Sequence, residues 1–236
     1  MSTQQKVENF ISDKMSEIAE KQDIKHLLPG TLPFVTISSQ SGAGGNQLAA
    51  NLIDLISKQD SDIDAFKGWR IFDKNMCQHL LEQDHLANSV DELLNEKYHS
   101  QINEFIMGIF GDRGMQNVAY ARLARQLRML ASIGKVVIVG HGGSMATRSL
   151  AGGTHIRLVA QMPVRTARMA AMLGVDENEA VRLIKRRDSD NRNLVKTHYQ
   201  VDIDEPENYH FTCNTEWIPP NVVADFVMSI FHKKLD

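Results

Sequence analysis

Cysteine is scarce in this 236-residue chain: Cys77 and Cys213 are far apart, and each is set in apolar sequence. That scarcity argues against a disulfide framework and a cysteine-built metal clip, so the two read as buried thiols of a reducing compartment. An excess of one charge is also lacking. Lys and Arg number 26 against 29 Asp and Glu, for a formal charge of -3. Without a cationic surplus to displace counterions, a general nucleic-acid binder is disfavoured. No run comes near the ~18 apolar residues that span a bilayer, and no signal-peptide core opens the sequence. The expectation is a cytoplasmic protein with neither membrane nor nucleic acid as partner. What is present is ordinary for a globular protein, 42% apolar and 23% charged. That suffices for the core of one α/β domain with insertions, or of two small ones.

The pattern along the chain alternates strands and helices. Residues 4–28 read as an amphipathic helix with Val7, Phe10, Ile11, Met15 and Ile18 on one narrow stripe. Packing across the domain is its simplest role, and a homodimer contact is the alternative. Strands are expected at Phe34–Ser38, Trp69–Asp73, Lys135–Gly140, His155–Ala160 and Tyr209–Asn214. Helices are expected near Gln47–Lys58, Asn117–Ser132, Val164–Leu173 and Asn221–Lys234, with another starting at Asp176. Glu179 would complete an Asp-x-x-Glu capping box there. Residues 74–131 are helical in pattern, with breaks near Gly108, Gly111 and Gly114. This alternation implies a mostly parallel sheet covered on both faces, whose ligand crevice lies beyond the carboxyl ends of the strands.

The stretch Phe34-Val-Thr-Ile-Ser-Ser-Gln-Ser-Gly-Ala-Gly-Gly-Asn-Gln-Leu-Ala49 carries the most information. A β-branched run ends in a glycine cluster and a helix follows at once. Amides at such a helix start have no intrahelical partner and sit at the positive end of the dipole, so Ser41, Gly42, Ala43, Gly44, Gly45 and Asn46 form a candidate phosphate cradle. The usual phosphate loop places lysine and then Ser/Thr where Gly45 and Asn46 stand. A dinucleotide fingerprint fits less well, because its sixth position falls on Gln47.

Three other features gather chemistry. The helix after Asp176 carries Arg182, Lys185, Arg186, Arg187 and Arg192, crowded toward one end. Taken alone this is a self-paired solvated face, or a set of guanidinium forks suited to phosphate oxygens. Asp73, next to Lys74 at a strand end, either accepts hydrogen bonds from a ribose or base or caps the following helix. His141, in a glycine turn, is either an anion contact or structural. No metal-ligand spacing and no nucleophile–base set stands out.

In this order the pieces resemble the cytidylate kinase-like family, a branch of the P-loop nucleoside monophosphate kinases. The family loop I-T-I-S-R-x-x-G-[S/A]-G-G-R-x-[I/L]-A is similar to residues 35–49, and its [F/Y]-D-K element to Phe72-Asp-Lys74. Its V-I-V-G-R strand is similar to Val137-Ile-Val-Gly-His141, and its R-I-V-A-P-x-x-x-R segment to Arg157-Leu-Val-Ala-Gln-Met-Pro-Val-Arg165. Its late pattern Y-x-x-D-x-x-x-P-x-x-Y, then N-T, is similar to Tyr199, Asp202, Pro206, Tyr209, Asn214 and Thr215. The arginine-rich lid R-D-x-x-D-R-N-R resembles Arg187-Asp-Ser-Asp-Asn-Arg-Asn193.

The resemblance implies a three-layer P-loop NTPase-type α/β fold over residues 31–236. Its five-stranded sheet would have helices on both faces, an acceptor-binding region at 74–131 and a lid at 176–200. It implies transfer of the ATP γ-phosphoryl to a pyrimidine nucleoside monophosphate such as CMP, with magnesium bound through the phosphates. Arg187, Asp188 and Arg192 would act in the lid, Ser41–Asn46 would lie beneath the ATP phosphates, and Asp73, Lys74 and His141 would line the acceptor pocket. Arg157, Arg165 and Arg168 match family arginines without an assigned role. Two arginines usual around the loop are Ser39 and Asn46 here, and the strand-end arginine is His141. Losing three cations from one crevice weakens phosphate binding, so an impaired nucleotide-binding or regulatory protein is the alternative.

Overall fold

The computed structural model describes residues 2–20, 32–59, 64–73, 75–77, 96–111 and 118–235. Five strands form one parallel sheet: β1 (Phe34–Ser39), β2 (Arg70–Phe72), β3 (Val136–Val139), β4 (Gly153–Val159) and β5 (Phe211–Asn214), in the order β2-β3-β1-β4-β5. Val35 registers with Val137 on one side of β1 and with Thr154 on the other, which makes β1 the central strand. Strand residues alternate between two cores, as the period of two requires. Phe34, Phe72, Val136 and Ile138 face one core, and Val35, Ile37, Val137 and Val139 the other.

Helices close both faces. The first core is covered by α1 (Thr3–Glu20), α3 (Glu96–Phe110), α4 (Val118–Ile133) and the short α5 (Gly143–Thr147). The second is covered by α2 (Gly45–Ser57) and α8 (Pro220–Leu235), through Leu48, Leu52, Ile56, Val223, Val227 and Phe231. This three-layer α/β fold is the one expected. Val7, Phe10 and Ile11 of α1 are buried in the first core, and the Phe10 ring stands edge-on to Phe72 at 5.1 Å. Helix α1 therefore packs across the chain's own sheet.

Helices α6 (Met162–Leu173) and α7 (Glu177–Tyr199) complete the crevice wall. Pro163 lies in the first turn of α6 and Gly174, at φ 66°, ends it. Asp176 caps α7 by accepting a hydrogen bond from the Glu179 amide at 2.9 Å. Only that arm of the expected capping box forms among the described residues. The Glu179 carboxylate pairs with Arg182 instead. Gly108, expected to break its helix, lies inside α3, which runs on to Phe110. An isolated glycine costs only about 1 kcal/mol there, too little to end a helix with a buried face. Lys74 and most of the region between β2 and α3 lie outside the described residues, as does the segment 21–31.

Candidate functional site

The chain leaves the central strand β1 through Gln40 and turns at Gly42 (φ 83°) and Gly44 (φ 90°) into the first turn of α2. Both glycines are required. A Cβ at Gly42 would come within 2.6 Å of the Arg165 carbonyl oxygen, and one at Gly44 within 2.9 Å of the Pro220 ring. The loop is also fastened from outside. The Thr215 hydroxyl donates to the Ala43 carbonyl at 2.9 Å, and Arg168 in turn holds Thr215 by its hydroxyl and its carbonyl. The Ala160 amide donates to the Gln40 side chain at 3.1 Å. Among the described residues, the amides of Gly42, Gly44, Gly45 and Asn46 have no protein acceptor. A row of fixed, unpartnered amides at a helix start is an anion cradle in form.

Gly45, at the position of the usual lysine, is closely packed. A Cβ there would stand 2.5 Å from the Ser39 hydroxyl and 3.1 Å from its Cβ. Ser39 therefore fills the space through which a side chain at 45 would leave the helix. Asn46 is exposed beside it.

The helix α7 meets this loop directly. The Asp188 Oδ1 accepts from the Ser41 amide at 2.8 Å, and its Oδ2 accepts from Arg165 Nη1 at 2.6 Å. Arg165 is itself fixed, donating through Nε to the Ala160 carbonyl at 2.9 Å and through Nη1 to the Ser41 carbonyl at 3.2 Å. Four residues further along α7, Arg192 donates to Asp204 at 2.8 Å, and Asp204 also accepts from Arg157 at 2.7 Å. Arg157 continues to the Ser38 hydroxyl at 2.9 Å, which ties this network to β1. Burial by itself raises the Asp204 carboxyl, but the hydrogen bonds and charges of Arg192 and Arg157 outweigh it and hold the group below the ordinary carboxylate range. The hydrogen bond to Asp204 likewise raises Arg192.

These side chains pack closely against one another. Between Gln40, Arg157, Asp188, Asn191 and Arg192 a hollow of about 10 Å³ remains, room for one water. A larger hollow of about 320 Å³ lies at the other end of the sheet, between the last turn of α2 and Trp69.

The structure thus brings Ser41 and Asp188 into contact and ties Arg192, through Asp204 and Arg157, to Ser38 of β1. Arg187 is exposed on α7 and forms no ion pair among the described residues. Asp73 follows β2 and caps the next turn, its Oδ1 accepting from the Met76 amide at 3.0 Å. His141 follows β3 at φ 58°, half-buried in the turn between Gly140 and Gly142. Both lie at the carboxyl edge of the sheet, as expected, on the β2–β3 side of the loop. Sequence reasoning left Arg157 and Arg165 without roles and did not single out Asp204. Carboxylates that neutralise them from distant helices and turns leave no local signal.

Comparison with known proteins agrees with this architecture. The profile of the cytidylate kinase-like family matches residues 34–217. A cytidylate kinase from Sulfolobus acidocaldarius is 27% identical over 107 residues, covering 45% of this chain and 58% of that protein. The match thus spans little more than half of that curated relative. A crystal structure of an uncharacterized protein from Eubacterium ventriosum shares the fold with a TM-score of 0.65 at 13% identity, over 86% of this chain and 99% of the other.

Proposed function

Because the chain belongs to the cytidylate kinase-like family, we propose that it is a nucleotide kinase that moves the γ-phosphoryl of ATP to a nucleoside monophosphate, with CMP as the first acceptor to test. The observation that carries this is the row of unpartnered amides at Gly42, Gly44, Gly45 and Asn46, held rigid between Thr215 and Arg165. ATP would supply the phosphoryl group, and magnesium held by its phosphates would offset their charge. The amides bind and orient the phosphates, while Arg187 and Arg192 on α7 provide charge from above. Asp73, Lys74 and His141 mark the acceptor side.

The test is direct. Purified protein with Mg-ATP and a panel of nucleoside monophosphates should form ADP and the matching diphosphate. Absence of any diphosphate across the panel rejects the kinase activity.

A second reading has its own support. Arg165 is neutralised by Asp188, and Arg157 and Arg192 share Asp204, so three of the crevice cations are already paired. A protein that binds nucleotide without turnover would show thermal stabilisation by nucleotide and no product. Asn46→Arg combined with His141→Arg would then be expected to raise turnover from nothing to a measurable rate.

A further inference from the structure

We infer that Arg165 and the Ser41 amide form an anion seat which Asp188 occupies in place of a nucleotide phosphate, so that polyphosphate and the Asp188 carboxylate exclude one another. This rests on the reading of the glycine loop as a phosphate cradle and adds a regulator to it.

Three observations support the seat. The Arg165 side chain is only 7% exposed, and its Nε and Nη1 are aimed by the carbonyls of Ala160 and Ser41. A buried guanidinium held in that way needs an anion opposite it, since a charge left unpaired away from water is costly. Second, Asp188 supplies that anion with both oxygens, one on the loop amide and one on the guanidinium. Two adjacent oxygens of a phosphate present the same pair of acceptors. Third, the hollow beside Asp188, bounded by Gln40, Arg157, Asn191 and Arg192, holds only about 10 Å³, so an anion takes this seat only by displacing the Asp188 carboxylate.

The exchange is balanced in kind. A phosphate entering the seat restores a negative partner to Arg165 and extends to the unpartnered amides of Gly42, Gly44, Gly45 and Asn46, which the short Asp188 side chain leaves without an acceptor. Asp188, 17% exposed in the closed form, regains water when α7 withdraws. Arg192 sits four residues along the same helix, so the withdrawal that frees the seat also moves that cation relative to the loop.

Inorganic tripolyphosphate is the probe, because it needs neither base recognition nor turnover. Calorimetry on the full chain should show Asp188→Asn binding it about tenfold more tightly than the unaltered protein, since the intramolecular competitor is weakened. Unchanged or weaker binding overturns the inference and makes Asp188 a brace that assists phosphate. Should Asp188→Asn fail to fold, the unaltered protein decides. Its Ser41 amide and its Asp188 carboxyl carbon should shift along one titration curve in NMR. A shift of Ser41 with the Asp188 carbon unmoved, or no tripolyphosphate binding at all, also overturns it. Tripolyphosphate binding without diphosphate formation rejects the kinase activity and leaves the seat standing.

Discussion

Gly42 joins a φ of 83° to a contact in which any Cβ would strike the Arg165 backbone. Strain of this kind costs about 1–3 kcal/mol, and the collision adds to it. Gly42→Ala is therefore expected to destabilise the protein by roughly 3 kcal/mol, lowering Tm by about 6–12 °C in a chain of this size. A Tm within a degree or two of the unaltered protein would mean the loop relaxes freely. Asp204 gives a pH-dependent expectation. Its folded carboxyl is held below the unfolded value by Arg192 and Arg157, so its contribution is present above ~4 and is lost as pH falls through the depressed folded value. Thermal melts should show Asp204→Asn less stable than the unaltered protein from pH 7 down to pH ~4, with the gap closing only in stronger acid. A gap that closes already near neutrality would assign the effect to another group. Cys77 is pushed up to about 12, first by burial and then by the charge of Asp73. Its thiol should resist alkylation at neutral pH until the protein unfolds.

At the scale of elements, α1 and α7 show what periodicity conveys and what it omits. The stripe of Val7, Phe10 and Ile11 was legible because a 3.6-residue apolar repeat states which face is buried. It did not say against what. The structure answers with Phe72 and the first core, where Phe10 is 1% exposed. Phe10→Ala should accordingly cost about 3–5 kcal/mol and lower Tm by roughly 10 °C, measured by calorimetry or circular dichroism. A change below about 1 kcal/mol would show that α1 packs elsewhere in solution. Helix α7 was legible from its cap and its charges, since Asp176 with Glu179 marks a start whatever the tertiary context. The partners of those charges were not. Asp188 reaches Ser41 across 147 positions of sequence, and Arg157 reaches Ser38 across 119. Local patterns specify elements, whereas ion pairs depend on how the elements meet.

For the whole molecule, the order of strands and helices was legible because the inner strands β1 and β3 are short β-branched runs and several helices end on their own stop. Gly134, Gly174 and Gln200 all take positive φ at helix ends. The alternation then forces a parallel sheet, and the sheet places the glycine loop at the end of its central strand. What the sequence did not reveal is that the crevice arginines are paired with the chain's own carboxylates, Arg165 with Asp188 and Arg157 and Arg192 with Asp204. The central claim is that main-chain amides at the start of α2 receive a nucleotide's phosphates although no lysine assists them. It is tested most directly by following the amide resonances of Gly42, Gly44, Gly45 and Asn46 while Mg-ATP is added. The account predicts that all four move along one saturating curve, with the turn glycines Gly68 and Gly174 unmoved. ATP that binds while those four stay still, or that does not bind at all, would contradict it.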